Sequence, residues 1–215
     1  MMVDNNKRKL QKIWDQVPAN YYEHEIAKNP VKRLWHTLKV LNFKKLTQNK
    51  NPKNILDVGC ASGRMANEIS KFFPQSRITA VDVYRKAIEF GQKAYPQINF
   101  KVADAHKLPF KSNSFDLVIT YEVIEHLAHP LKALTEMKRV MKKNGNAIIV
   151  MDSGSVLFRI VWWISEKTVS RVWLGAHLHP YKHDELQMVI KKAGFKILKK
   201  HFSHLGMEVS FVLKK

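Results

Sequence analysis

Asp57, Asp82, Asp104 and Glu122 are the residues of this chain best placed to do chemistry, because each stands within or at the end of a short apolar run. Asp57 belongs to Ile55-Leu56-Asp57-Val58, which leads directly into Gly59-Cys60-Ala61-Ser62-Gly63. Glycine has no Cβ, so Gly59 and Gly63 allow a turn with positive φ and let a ligand lie against the backbone. A carboxylate facing such a turn disfavours phosphate and suits a cationic or amine-bearing ligand. The spacing agrees, since neither G-x-G-x-x-G nor G-x-x-x-x-G-K-[ST] is present. Asp82 follows Ile78-Thr79-Ala80-Val81 about twenty residues later, where a ribose-binding carboxylate belongs. Phe100 to Ala103 delivers Asp104, and Phe115 to Thr120 ends at Tyr121-Glu122 before Val123-Ile124-Glu125-His126-Leu127. Cys60 reads as a small packing residue of the turn and Asp116 as a strand or loop cap.

These carboxylates act together only if the strand ends meet at one edge. The apolar runs predict strands over 55–58, 78–81, 100–103, 115–120, 147–151, 195–198 and 208–213. Helices are predicted over 64–73, 85–95, 130–142 and 184–193, with Lys143-Asn144-Gly145-Asn146 as a stop and turn and Gly194 as a second stop. Alternating strands and helices make an α/β chain with a parallel sheet and helices on both faces, whose ligands sit outside the carboxyl ends of the strands. Two helices precede it, over 5–16 and 30–46; Pro30 suits a first turn, and Leu34, Leu38, Leu41 and Leu46 approximate a stripe. At 215 residues one domain is expected. Its parts are N-terminal helices or a lid (1–50), a ligand-binding core (54–151), a substrate-side insert (153–183) and a C-terminal helix and strands (184–215).

On the run from Ile55 to Gly63 and the acids at 82, 104 and 122, the chain resembles the class I S-adenosylmethionine-dependent methyltransferases over roughly 54–150. It is most similar to the broad group that includes ubiquinone-type O-methyltransferases. The resemblance implies a Rossmann-like, seven-stranded, mostly parallel sheet with the last strand antiparallel. It also implies S-adenosylmethionine, whose sulfonium and ammonium suit the acidic turn. Carried over, Asp57, Gly59 and Gly63, with Cys60 and Ala61 in the same turn, line the methionine portion. Asp82 with Val83 holds the ribose, Asp104 with Ala105 the adenine, and Glu122 forms the wall beside the methionine. Ala61 stands where many members have a second glycine. Arg33, in Asn29-Pro30-Val31-Lys32-Arg33-Leu34, is similar to an arginine that approaches the cofactor carboxylate, the alternative being a solvated basic face. The segment 122–126 also resembles one that binds a divalent cation in some ubiquinone-type and small-RNA methyltransferases. That implies magnesium on Glu122, Glu125 and His126; otherwise Glu125 and His126 fix the turn into the next helix.

Methyl transfer is an in-line displacement that needs the acceptor held near the sulfonium methyl and one proton managed. His126 follows the fourth strand, and His177, His179 and His183 come from the insert, so His126 and His177 are the candidate bases. Within the insert, Val156-Leu157-Phe158-Arg159-Ile160-Val161-Trp162-Trp163-Ile164 is apolar nearly all round if helical, and Trp162, Trp163 and Trp173 are three of five tryptophans. With Lys167 and Arg171 flanking it, the segment reads as a lipid-interface helix or acceptor pocket, as a helix buried on the sheet, or as a dimer interface.

Thirty-seven lysines and arginines against 18 acidic residues give a formal charge of +19, a positive field for anionic surfaces or substrates. The basic residues, Lys7-Arg8-Lys9 and Lys214-Lys215 among them, are dispersed, and no RNA-binding module stands out. The single cysteine excludes an internal disulfide, no apolar run is long enough to span a bilayer, and no signal peptide is evident, so a cytoplasmic protein is expected, in peripheral contact with anionic membrane as a further option. The leading expectation is O-methylation of a hydrophobic or amphipathic small molecule, a quinone precursor or lipid-like compound. An RNA methyltransferase using the basic surface is the second reading, lowered by Thr120-Tyr121-Glu122-Val123 in place of an N-P-P-Y-like signature. A nonenzymatic S-adenosylmethionine-binding protein is the third.

Overall fold

The computed structural model describes residues 10–167 and 171–215. Residues 5–9 of the expected first helix, including Lys7, Arg8 and Lys9, lie outside the described residues, as does the Arg171 side chain. In chain order the elements are α1 (10–16), α2 (Tyr21–Lys28), α3 (Pro30–Thr47), β1 (Asn54–Val58), α4 (Arg64–Phe72), β2 (Arg77–Asp82), α5 (Arg85–Ala94), β3 (Asn99–Val102) and β4 (Phe115–Tyr121). They continue with α6 (Pro130–Val140), β5 (Met141–Asp152), α7 (Val156–Lys167), α8 (His183–Lys192), β6 (Lys196–Ser203) and β7 (Glu208–Lys214).

The strands form one sheet in the order β3-β2-β1-β4-β5-β7-β6. β1 to β5 pair in parallel, whereas β7 runs antiparallel to both β5 and β6, as expected of the last strand. The central strands are apolar on both faces because both faces are covered. Leu56, Val58, Val118 and Ile149 pack with α6 and α8, while Ile55, Ile119, Ile148 and Val150 pack with α3, α4 and α5. Strand order reverses between β1 and β4, which opens a crevice beyond their carboxyl ends.

Three local readings change. Helix α6 stops at Val140, and the expected turn at Lys143–Asn146 lies inside β5, where the β4 pairing skips from Phe115–Met141 to Leu117–Asn146. Gly145 sits there because a Cβ would press on the Met141 side chain and the Asp116 carbonyl. Helix α2 was not foreseen, being short and without a buried residue; Asn29 ends it and caps α3, its Oδ1 accepting from the Val31 and Lys32 amides with Pro30 at the first turn. Strand β6 extends to Ser203, five residues past its predicted end.

The N-terminal helices are fastened over the crevice by polar contacts. Glu23 accepts from the Ser62 hydroxyl at 2.9 Å and from the Tyr95 hydroxyl at 3.0 Å. Asn42 of α3 donates to Ser210 at 2.9 Å, and His204 reaches the Trp35 carbonyl at 2.9 Å. The sheet beneath depends on its antiparallel edge: Phe211 of β7 is fully buried. Phe211→Ala is expected to cost about 3–5 kcal/mol of stability, read as a lowered denaturant midpoint.

Candidate active site

The turn after β1 is built by backbone donors. Gly59 and Cys60 give their amides to the Val81 carbonyl at 2.8 and 3.0 Å, and the Ala61 amide donates to Asp82 Oδ2 at 2.8 Å. The Tyr84 amide donates to Asp82 Oδ1 at 2.9 Å, and the Val83 amide adds to the pull, which leaves the carboxylate acceptor capacity for a further donor. Gly59 (φ +78) and Gly63 (φ +85) are left-handed, and a Cβ at either would strike Val123 or Phe100. Ala61 also takes a positive φ of 47, the conformation for which glycine is the ordinary choice.

A cavity of about 740 Å³ opens beyond these strand ends, within the usual range for small-molecule sites. Gly59, Ala61, Asp82, Val83, Asp104, Ala105 and Glu122 line it. Asp57, Cys60 and Gly63 lie in or beneath the turn; Asp57 and Cys60 edge a smaller adjoining pocket. Burial, with Asp82 adding repulsion, pushes the Asp57 carboxyl up to about 7, and its Oδ2 is buried with no hydrogen-bond partner. Burial likewise raises Asp82, against the pull of its backbone donors, and raises the Cys60 thiol. Asp104 accepts from the His106 amide at 2.9 Å. A row of desolvated carboxylates with an orphaned oxygen fits a ligand that carries positive charge and hydroxyls.

Arg33 is engaged elsewhere. Its guanidinium donates to the Ile26 and Ala27 carbonyls at the end of α2, and it does not line the cavity. Lys39, six residues further along α3, does line the cavity, and its Nζ lies 2.6 Å from Glu122 Oε2. Burial is the largest influence and opposes both charges, but the surrounding opposite charges together outweigh it, Glu122 with Glu208 and Glu125 holding Lys39 above its ordinary range and Lys39 with His177 and His126 holding Glu122 below its own. Asp152, pushed up to about 7 by burial, adds a further strand-end acid from β5. It carried the same signal as the others, an acid closing an apolar run, and was passed over; Lys39 carried none.

The insert reaches the site through Glu125, whose carbonyl accepts from the Leu178 and His179 amides at 2.9 Å each. This brings His177 beside His126, ring centroids 4.9 Å apart. Of the other insert histidines, His179 stacks on Tyr181, and His183 pairs with Asp184 and Lys200. The Ala176 carbonyl, 2.8 Å from His126 Nδ1, can only accept, so Nδ1 carries the proton and Nε2 is left with its lone pair. Burial lowers His126, and burial with His126 nearby pushes His177 down to about 4.

Among the described residues, ligand atoms of Glu125, His126 and His177 all lie within 4.8 Å of one another. The expected metal set is therefore altered: His177 joins, and Glu122 is taken by Lys39. Glu125 is buried, is raised well above the carboxylate range by burial with Asp152 adding, and has Oε2 unpartnered. An orphaned carboxylate oxygen and an imidazole whose other nitrogen is fixed on a carbonyl fit a divalent cation. With two imidazoles in three donors, the set suits zinc, iron or nickel better than the expected magnesium.

Residues 56–149 match the family described as a methyltransferase domain. The chain carries a class I S-adenosylmethionine-dependent methyltransferase domain. It is 32% identical over 122 residues to an uncharacterized methyltransferase of Schizosaccharomyces pombe, a match covering 52% of this chain but only 44% of that protein. It is 22% identical over 224 residues to the demethylmenaquinone methyltransferase of Chlorobaculum parvum, covering 96% of this chain and 92% of the relative. A chain in the complex of the Haloferax volcanii Trm112 methyltransferase activator with a methyltransferase superposes with a TM-score of 0.69 at 14% identity, over 90% of this chain and 96% of that one. That likeness is one of fold.

Two outcomes follow for the methyltransferase site. Asp82→Ala should weaken S-adenosylmethionine binding by about 1–3 kcal/mol, the scale of leaving paired polar groups unsatisfied; unchanged calorimetric affinity would remove Asp82 from the site. The Asp57 carboxyl is raised to about 7 in the folded protein, so it is partly protonated near neutrality and a cationic ligand favours its ionised form. Affinity should therefore fall as pH drops through about 7 and proton release should accompany binding, with Asp57→Asn reducing both and Asp152 carrying the remainder.

Proposed function

We propose that this methyltransferase moves the methyl group of S-adenosylmethionine to a hydroxyl oxygen of a hydrophobic, ring-bearing small molecule of the quinone-precursor or lipid-like class. The observation that carries this reading is the composition of the large cavity, which gathers strand-end acids, aromatic rings and two imidazoles. Trp162 stacks on His177 with ring centroids 4.8 Å apart and planes 13° apart, and Phe158 stacks on Trp162 at 6.0 Å. Trp14 meets His126 edge-on at 6.0 Å and Trp173 at 5.4 Å. Flat aromatic walls recognise flat apolar ligands through area and edge-to-face geometry. The demethylmenaquinone methyltransferase relative has, by its name, a quinone-class acceptor, which supports the class of compound and not the acceptor atom.

In this reading the strand-end carboxylates hold the cofactor by its hydroxyls and positive groups, while Lys39 and Glu122 offer opposite charges to the carboxylate and ammonium of its methionine end. The aromatic chamber holds the acceptor in line. The acceptor oxygen takes the methyl carbon, the carbon–sulfur bond gives its electron pair to sulfur, and the hydroxyl proton passes to an imidazole. His126 and His177 are both lowered, hence neutral and able to accept that proton. With a divalent cation held by Glu125, His126 and His177, the imidazole lone pairs would be engaged as ligands, and the cation in place of an imidazole base would supply the Lewis acidity that lowers the acceptor hydroxyl's pKa.

The test uses methyl-labelled S-adenosylmethionine with a cell extract separated into lipid, RNA, protein and small polar fractions. Enzyme-dependent label in the lipid fraction is expected. His177→Ala should cut it roughly a hundredfold while leaving cofactor affinity unchanged by calorimetry. Label confined to RNA would overturn the proposal and make the basic surface the substrate-binding feature.

A further inference from the structure

Helix α7 presents two chemically different sides of an almost wholly apolar sequence. Phe158, Trp162 and Ser165 line the cavity, whereas Val156, Leu157, Ile160 and Trp163 are 73%, 45%, 53% and 59% exposed. Helix α3 does the same on the opposite rim. Trp35, His36 and Lys39 face the cavity, and Val31, Leu34, Leu38 and Leu41 form an exposed stripe at i, i+3, i+7 and i+10. Val31 and Val161 line the cavity and are nonetheless 71% and 42% exposed, so the two helices bound its mouth. Leu205, 89% exposed, adds to the α3 side, its turn being held by His204 against Trp35, ring centroids 4.3 Å apart.

An apolar rim of this extent on a single chain marks a contact surface. The charges around it select the partner. Helix α3 carries the exposed Arg33, Lys44 and Lys45 and no acidic residue, its Lys39 facing the cavity and its Lys32 pairing with Glu25. On α7, the Lys167 ammonium lies over the Trp163 ring, 3.6 Å from its centroid. A tryptophan with a cation on its face, leucines beside lysines, and a formal charge of +19 together match a surface that is apolar inside and anionic outside.

We infer that the exposed faces of α3 and α7 dock on an anionic lipid bilayer, seating the mouth of the cavity at the level where a lipid-soluble acceptor resides. The inference deepens the acceptor reading above, and vesicle binding is scored without turnover, so either can fail alone. A bilayer accounts for features that other partners leave unused: RNA has no use for the leucine stripe, and a second copy of the chain would bring +19 against +19.

Co-sedimentation of the full chain with phosphatidylcholine vesicles, with and without phosphatidylglycerol, tests this. Binding is expected to the anionic vesicles, weakening with salt. Ile160→Ser with Trp163→Ser, and separately Leu34→Ser with Leu38→Ser, should each weaken it roughly tenfold or more while leaving calorimetric S-adenosylmethionine affinity unchanged. In the otherwise native chain, brominated lipid should quench tryptophan fluorescence, and Trp163→Phe should remove part of that quenching. No binding to anionic vesicles would overturn the inference. So would unchanged binding in both double variants, or loss of self-association by the variants when the native chain dimerises and ignores vesicles.

Discussion

The amide of Ala61 donating to the Asp82 carboxylate, beside Gly59 and Cys60 donating to the Val81 carbonyl, is the interaction on which the rest of the site depends. It ties the turn after the first strand to the end of the second, so the glycine loop cannot open away from the sheet. With the loop held there, α4 is entered through Gly63, which lacks the Cβ that would strike Phe100, and the Val123 side chain packs against Gly59. One carboxylate thus sets the loop, starts a helix and still offers lone pairs to the crevice.

That economy has an electrostatic consequence. Asp57, Asp82, Glu125 and Asp152 are all buried or nearly so at one edge of the sheet, and burial raises each of them. Desolvated carboxylates destabilise the empty fold and favour whatever brings positive charge. Lys39 supplies that charge at Glu122. A sulfonium and an ammonium would supply it along the rest of the row, which is why the cofactor end can be acidic in a chain of formal charge +19.

The strand-end acids were legible in the sequence because strand alternation and a carboxyl-end crevice make their meeting a matter of topology. The Ala61 substitution was legible too, and the structure absorbs it by placing alanine at positive φ. Other assignments needed three dimensions. Arg33 and Lys39 sit on the same basic helix, and nothing in the spacing distinguishes the one that caps α2 from the one that enters the cavity. His177 is a candidate base in the sequence, but its meeting with His126, and the turning away of His179 and His183, depend on the Glu125 carbonyl accepting two amides of the insert.

By itself the sequence determined the alternating α/β pattern and the acidic glycine turn, since periodicity, glycine and strand-end polarity are local properties that survive in any fold with that alternation; the antiparallel direction of the last strand came with the family resemblance and is seen in the pairing of β7 with β5 and β6. Only the tertiary structure decided which way the apolar insert faces. In the run from Val156 to Ile164, apolar but for Arg159, adjacent tryptophans give no sign of which one faces in, so the neighbours chose: Trp162 turned inward onto His177 and Trp163 outward beneath Lys167. The same holds for the metal-competent trio, whose members are contributed by segments fifty residues apart and meet because a backbone carbonyl, invisible in any sequence pattern, holds them together.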